Sequence, residues 1–302
     1  MSPVPYLGSA VLTVRALLES GDREACARHL PGLAEGTVVG ALAWAEDPPA
    51  GPGSWEAGDL AARAEPAAHA GRAAPPAGSD WLLTGTKRYV LAGPAEPALL
   101  LAFARTGNGG GGLGLFELTG PPADFTVRST MDRTRPLAEL TLDRTPARLL
   151  SADGARILAR VRDAACTALA AEQTGEAGRA LELTVRYAMD RMQFGRPIGS
   201  FQAVKHRLAD MYTAVETARS LALAAAAAED RPEAAAAAAS ACSEAFAYVA
   251  GEMIQLHGGI GITWEHEAHE FFKRAHGSAQ LFGTPATHRK RLGSVLEFLS
   301  AG

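Results

Sequence analysis

Arg191-Met192-Gln193-Phe194-Gly195-Arg196-Pro197-Ile198-Gly199-Ser200-Phe201-Gln202 is the stretch on which the reading of this chain turns. Glycine and proline this dense do not continue a helix, yet helical patterns flank the stretch on both sides. Residues 156–191 read as one long helix and residues 201–229 as another. In the second, Val204, Leu208, Met211, Val215, Ala218 and Ala222 recur at steps of four and three, the apolar stripe of a bundle helix. Arg231-Pro232-Glu233 separates it from a third helix over 234–256, which opens on an alanine run of the highest intrinsic helix propensity. Gln255-Leu256-His257-Gly258-Gly259-Ile260-Gly261-Ile262-Thr263 ends that helix, and shorter helices are predicted over 265–274 and 285–299. From residue 151 onward the chain reads as a helical bundle.

Upstream the pattern changes. Residues 80–150 read as short strands: Trp81–Lys87 broken at Gly85, Tyr89–Leu91, Leu99–Ala104, Leu113–Leu118, and Leu137–Leu142 bounded by Pro136 and Pro146. Residues 47–79 are rich in proline, glycine and alanine and read as loop with weak strand character. Residues 1–46 look helical, with a helix over Ser9–Leu18 ended at Gly21 and another over Arg23–Leu30 broken by Pro31-Gly32. Helices, then strands, then helices define a segregated α+β chain and not a doubly wound sheet. The expected divisions are 1–39, 40–150 and 151–302.

Composition excludes several functions. A net charge of −4 over 302 residues offers no basic field for nucleic acid. No apolar run approaches the roughly 20 residues of a membrane span, and the N-terminus lacks the features of a secretory signal. Cys26, Cys166 and Cys242 are far apart and odd in number, so a reducing cytoplasm is the expected setting. Gly107–Gly112 formally satisfies GxGxxG but joins two strands, which predicts a flexible turn. His266 and His269 are three apart among glutamates, a spacing that fits a solvated helix face better than a metal site. The stretches from Arg191 and Gln255 are more specific. An arginine fork beside glycine turns at helix ends suits a phosphate-bearing cofactor. Two inter-helix turns with capping glycines account for the same residues.

Together these stretches resemble the acyl-CoA dehydrogenase family. Ala170–Gly175, Arg191–Gln202, Lys205–Met211, Gln255–Trp264 and Phe271–Arg274 read like that family's C-terminal helices, and Gly40–Ala43 and Asp80–Lys87 resemble its β domain. The resemblance implies N-terminal helices, here truncated, a central β-barrel or sandwich and a C-terminal four-helix bundle. It implies an FAD-dependent enzyme that desaturates an acyl thioester of CoA or acyl carrier protein, as a dimer or tetramer. In that family one chain's bundle holds the pyrophosphate and adenosine end of a neighbour's FAD. Carried over, Arg191, Phe194, Gln202, Gln255, Gly258 and Gly259 belong to this donated half, and Thr284 is a further cofactor-side residue.

The resemblance also marks departures. The family's catalytic Glu, just before a Gly-Thr, falls at Phe282 in Gln280-Leu281-Phe282-Gly283-Thr284. Its alternative position falls near Ala165, where the nearest carboxylates are Asp163 and Glu172; Glu172, about two turns further on, is the candidate base, or else a helix-capping or bundle-internal hydrogen-bonding residue. The flavin-ring segment reads Ala45-Glu46-Asp47, and the hydroxyl expected beside flavin N5 falls at Leu91. The chain also starts where the family's N-terminal helical domain is nearly over. These departures favour a subunit that lends a half-site to a paralogous chain, as in bacterial dehydrogenases for bulky acyl-CoA substrates such as steroid side chains. A homo-oligomeric enzyme of altered chemistry and a flavin-free structural subunit are the other readings.

Overall fold

The computed structural model describes residues 4–47, 57–67, 80–93, 95–107, 111–228 and 231–300. Most of the Pro/Gly-rich stretch expected as loop, and the centre of the glycine turn at 108–110, lie outside the described residues. The chain divides into two compact units, residues 1–165 and 166–302.

The first unit opens with a π-helical segment, Leu7–Thr13, that continues into α1 (Val14–Ser20) and ends at Gly21 with φ of 73°. In α2 (Arg23–Glu35), the Asp22 side chain accepts from the Ala25 N–H and caps the helix. This helix does not stop at Pro31. It runs on to Gly36, because burial of Leu33 outweighs the one backbone bond that the proline removes. Gly40–Ala43, helical by local pattern but placed in the β domain by the resemblance, forms strand β1, parallel to residues 99–102.

The strands close on themselves. β2 (Arg63–Pro66), β3 (Trp81–Val90), β7 (Leu137–Ser151), β5 (Leu113–Leu118) and β4 (Leu99–Thr106) pair in that order, and β4 returns to β2. β1 adds to β4, and an unanticipated strand, β6 (Asp124–Arg128), adds to β7. Gly85 does not end β3 but marks a register shift within it. Its φ is 150°, and a Cβ there would come within 2.8 Å of Ala62. Pro146 likewise does not end β7; it pairs with Leu82 and offers only its carbonyl, to Thr119. Alanines at 43, 62, 64, 102, 104, 138 and 147 fill much of the core around Leu83, Phe116 and Leu140. Small interior side chains let so few strands close into a barrel.

The second unit is the bundle: the later part of α3 (Gly154–Asp190) with α4 (Gln202–Ala227), α5 (Pro232–His257), α6 (Ala268–Ser278) and α7 (Pro285–Ser300). The α4 stripe is buried at Met211, Val215, Ala218 and Ala222 as its spacing predicts. Inside the bundle, Gln173 donates to Ser278 and accepts from Ser243, tying α3 to α5 and α6. Among the described residues no helix is long and apolar enough to cross a membrane.

Candidate cofactor half-site

Where α3 ends, the chain turns back through a minimal hairpin. β8 (Met192–Gln193) pairs with β9 (Arg196–Pro197), Met192 opposite Pro197 and Gln193 opposite Arg196. The two central residues, Phe194 and Gly195, have φ of 51° and 77°, the double positive φ that a two-residue hairpin needs. A bulky residue in that region is uncommon. The Phe194 ring is nonetheless 92% exposed, edge-on to Phe201, whose ring also carries the Arg196 guanidinium at 4.0 Å. Gly199 allows the return past α3, since a Cβ there would come within 2.9 Å of the Ala188 carbonyl. Gln202 then opens α4, whose first turn has no side-chain cap. The Val204 and Lys205 N–H groups bond the Phe201 carbonyl, which leaves those of Gln202 and Ala203 for an acceptor, with Arg191 exposed just past the end of α3.

The second stretch leaves α5 by a conformation only glycine adopts readily, Gly258 at φ 62° and ψ −141°. Gln255, Gly258 and Gly259 are exposed, and space is open around both glycines. Tyr187, on the last turn of α3, stacks on His257 at 4.3 Å and donates its hydroxyl to the His257 carbonyl. The C-terminal ends of α3 and α5 therefore lie together. They bring the Arg191–Gln202 hairpin and the Gln255–Gly259 turn to one end of the bundle. Sequence reading singled out neither Tyr187 nor His257; the available signal was their place, one turn before Arg191 and directly before Gly258.

Thr284 is not part of this cluster. Its hydroxyl accepts from the Thr287 N–H and caps α7. Pro285 beside it accepts from Ser240, near the start of α5. From Ser240 to His257 the helix rises roughly 25 Å at 1.5 Å per residue. Glu172 is separate as well: its carboxylate receives Arg274 at 3.0 Å, and Arg274 also donates to Glu176 at 3.1 Å. The contact is an ion pair between α3 and α6 around a guanidinium only 7% exposed. Phe282 is buried with φ of 61°. Cys166 Sγ lies 3.9 Å from His288 Nε2, and a Cβ at Gly283 would come within 3.2 Å of that nitrogen. The expected base positions, Ala165 and Phe282, supply no carboxylate.

The barrel unit holds the residues expected beside a flavin ring. Ala45 and Leu91 are buried, and a Cβ at Gly8 would lie 1.7 Å from the Leu91 carbonyl. Glu46 accepts from the Ala61 and Ala62 N–H groups and from Lys87 Nζ at 2.5 Å. Lys87 is fully buried, and burial pushes its ammonium below the usual lysine range against the pull of Glu46. Glu46 is thus a bracket between the β2 entry and β3, a pairing that the sequence reading missed. Arg148 holds a second bracket, donating to Glu117 at 2.9 Å and to Asp22 at 2.9 Å.

A closed barrel unit, and a bundle that exposes an arginine hairpin beside a Gly-Gly turn, are the parts of an acyl-CoA dehydrogenase-type chain. Known proteins match it accordingly. The family described as acyl-CoA dehydrogenase, C-terminal domain, matches residues 153–296. Acyl-CoA dehydrogenase IpdE2 of Mycobacterium tuberculosis is 49% identical over 166 residues, 55% of this chain and 50% of that protein. This chain thus covers about half the length of that relative. A structure of a variant of the Tcur3481-Tcur3483 steroid ACAD is 30% identical with a TM-score of 0.82, covering 99% of this chain and 78% of that one. The ChsE4-ChsE5 complex from Mycobacterium tuberculosis is 29% identical with a TM-score of 0.78, covering 97% and 76%. The chain belongs to the acyl-CoA dehydrogenase family.

Proposed function

We propose that this chain is a subunit of an FAD-dependent acyl-CoA dehydrogenase and lends the pyrophosphate-side half of a flavin site to a paralogous partner. The observation that carries this reading is an asymmetry. The donated set is open, while Phe282 and Leu91, at the base and ring-edge positions, are buried hydrocarbon. The exposed set fits a phosphate-bearing cofactor by its donors: a guanidinium at Arg191, amides at Gln202 and Gln255, and an uncapped helix start. The barrel-side set does not fit a flavin edge, because Leu91 offers no hydroxyl there.

Bound FAD supplies the hydride acceptor for α,β-desaturation of an acyl thioester. In this reading Arg191 grips the pyrophosphate through its fork, the α4 start and Gln255 complete the donors, and Phe194 offers a ring face. The partner contributes the carboxylate base. Likeness to the ChsE4-ChsE5 complex supports the two-chain arrangement, and likeness to a steroid ACAD supports a bulky acyl-CoA as substrate class. The test is purification of the chain alone and with a co-expressed paralogue. Yellow colour confined to the co-purified complex is the expected result; stoichiometric FAD in the chain alone overturns the proposal.

A further inference from the structure

We propose that Tyr187 and His257 are positioning residues that lock the two segments of the lent half-site at one spacing, an inference that rests on the function proposed above. Tyr187 is tied at both ends. Its carbonyl accepts from the Arg191 N–H at 2.9 Å, at the root of the hairpin. Its hydroxyl donates to the His257 carbonyl at 3.2 Å, on the peptide that leads into Gly258. Between those ends the two rings stack at 4.3 Å, 24° from parallel. Tyr187 thus joins the residue that precedes the Gly-Gly turn, through its side chain, to the backbone that carries Arg191, through its carbonyl.

His257 is held as firmly. Its Nδ1–H donates to the Met253 carbonyl at 2.7 Å, which fixes the tautomer and the ring plane. The His266 ring lies 4.4 Å from it, tilted by 47°, and His266 is itself fixed by the Ala268 N–H, which donates to its Nδ1. Gly261 brings the turn back over the histidine: a Cβ there would come within 3.1 Å of the His257 Cβ. His257 Nε2 is buried and has no hydrogen-bond partner. An aliphatic side chain would fill the same space without stranding a polar atom. The imidazole is therefore poorly explained by packing stability and well explained by its planar, one-bond orientation of the α5 exit. Recognition of two linked phosphates from two segments needs that spacing fixed, since a binding constellation works only when held to within about 0.5 Å of its productive geometry.

The experiment uses the co-purified complex and reads flavin dissociation from the visible absorption that survives serial dilution. Thermal melting of the flavin-free chain and assembly with the paralogue by gel filtration are read in parallel. Tyr187→Phe keeps the stack and removes one hydrogen bond; His257→Leu removes the stack and the Met253 bond; His257→Asn restores an N–H in the Nδ1 place. The expected result is a five- to tenfold weaker hold on flavin for Tyr187→Phe and His257→Leu, with melting and assembly unchanged, and partial rescue in His257→Asn. Flavin affinity within twofold of the parent in both variants overturns the inference, as does flavin loss that merely tracks a fall in melting temperature. Arg191→Ala separates the two proposals. If it loses flavin while Tyr187→Phe does not, only the positioning role falls. If it too retains flavin, the lent half-site itself falls.

Discussion

At the end of the bundle, Arg191, Phe194, Gln202, Gln255 and Gly259 face solvent on a frame that is itself buried and bonded. In the barrel unit, Glu46 and Lys87 carry charge inside the protein and Leu91 is covered. Both regions sit at positions where the family resemblance expects flavin contacts. The first keeps polar groups where folding gains nothing from them. The second uses Glu46, paired with Lys87, to hold the entry to β2 against β3. Exposed polar groups on a rigid support point to a ligand; buried charge with every oxygen engaged points to the fold.

The sharpest way to test that contrast is to break one residue on each side. Lys87→Met leaves the Glu46 carboxylate buried beside two backbone N–H groups but without its cation. Removing one partner of a buried pair costs about 3–5 kcal/mol. Urea denaturation of the chain alone measures it, and a loss below about 1 kcal/mol would show that the bracket is not structural. Arg191→Ala should do the reverse. Its effect on folding stays within about 0.5 kcal/mol, as for other exposed positions. The complex loses about 1.5–3 kcal/mol of flavin binding, the range for hydrogen bonds to charged groups. A parallel loss of stability and flavin in Arg191→Ala would erase the distinction between the regions.

Backbone geometry gives a third, smaller test. Gly258→Ala forces a Cβ into φ 62°, ψ −141°, at a cost of about 1–3 kcal/mol. Open space around Gly258 means that no clash adds to it. The turn can relax only by moving the Gly258–Gly259 backbone, so flavin retention should fall together with stability. Gly259→Ala, also in open space and without the positive φ, should leave stability unchanged.

What the sequence revealed and what it hid follow the same physical divide. The bundle was legible because helical periodicity is local: the α4 stripe from Val204 to Ala222 predicts its own burial, and Met211, Val215 and Ala218 are buried. The barrel was legible as strands but not in their limits. Gly85 and Pro146 are local breakers that β3 and β7 override, because cross-strand pairing on both sides supplies more than one residue's propensity removes. Local pattern missed β1 for the same reason, since its partner β4 lies more than fifty residues on, and only the family resemblance put Gly40–Ala43 in the β domain. At the site, the residues proposed to form the lent half could be named individually. Tyr187 could not, because its role depends on His257, seventy residues away. Glu172 looked available until Arg274, a hundred residues on, occupied it.

The smallest effect is one of pH, and it comes from the buried frame of the open region. Burial holds His257 below the ordinary histidine value of 6.5, with His266 adding to the shift and the bond to Met253 opposing it. His269 shifts in the same direction, through burial and the neighbouring Lys273. A histidine whose folded pKa is depressed leaves the unfolded chain binding more protons once pH falls to about 6.5. Stability contributed by the neutral ring is therefore complete above that value and declines below it, by at most about 1.4 kcal/mol per pH unit for one group. Melting temperature measured from pH 8 to pH 5 should hold level and then fall. In His257→Leu the fall should be shallower, since a depressed imidazole is gone and the stranded Nε2 with it. An identical slope in the variant would mean that His257 stays accessible to protons in the folded chain, and that the stack with Tyr187 is looser than its 4.3 Å separation indicates.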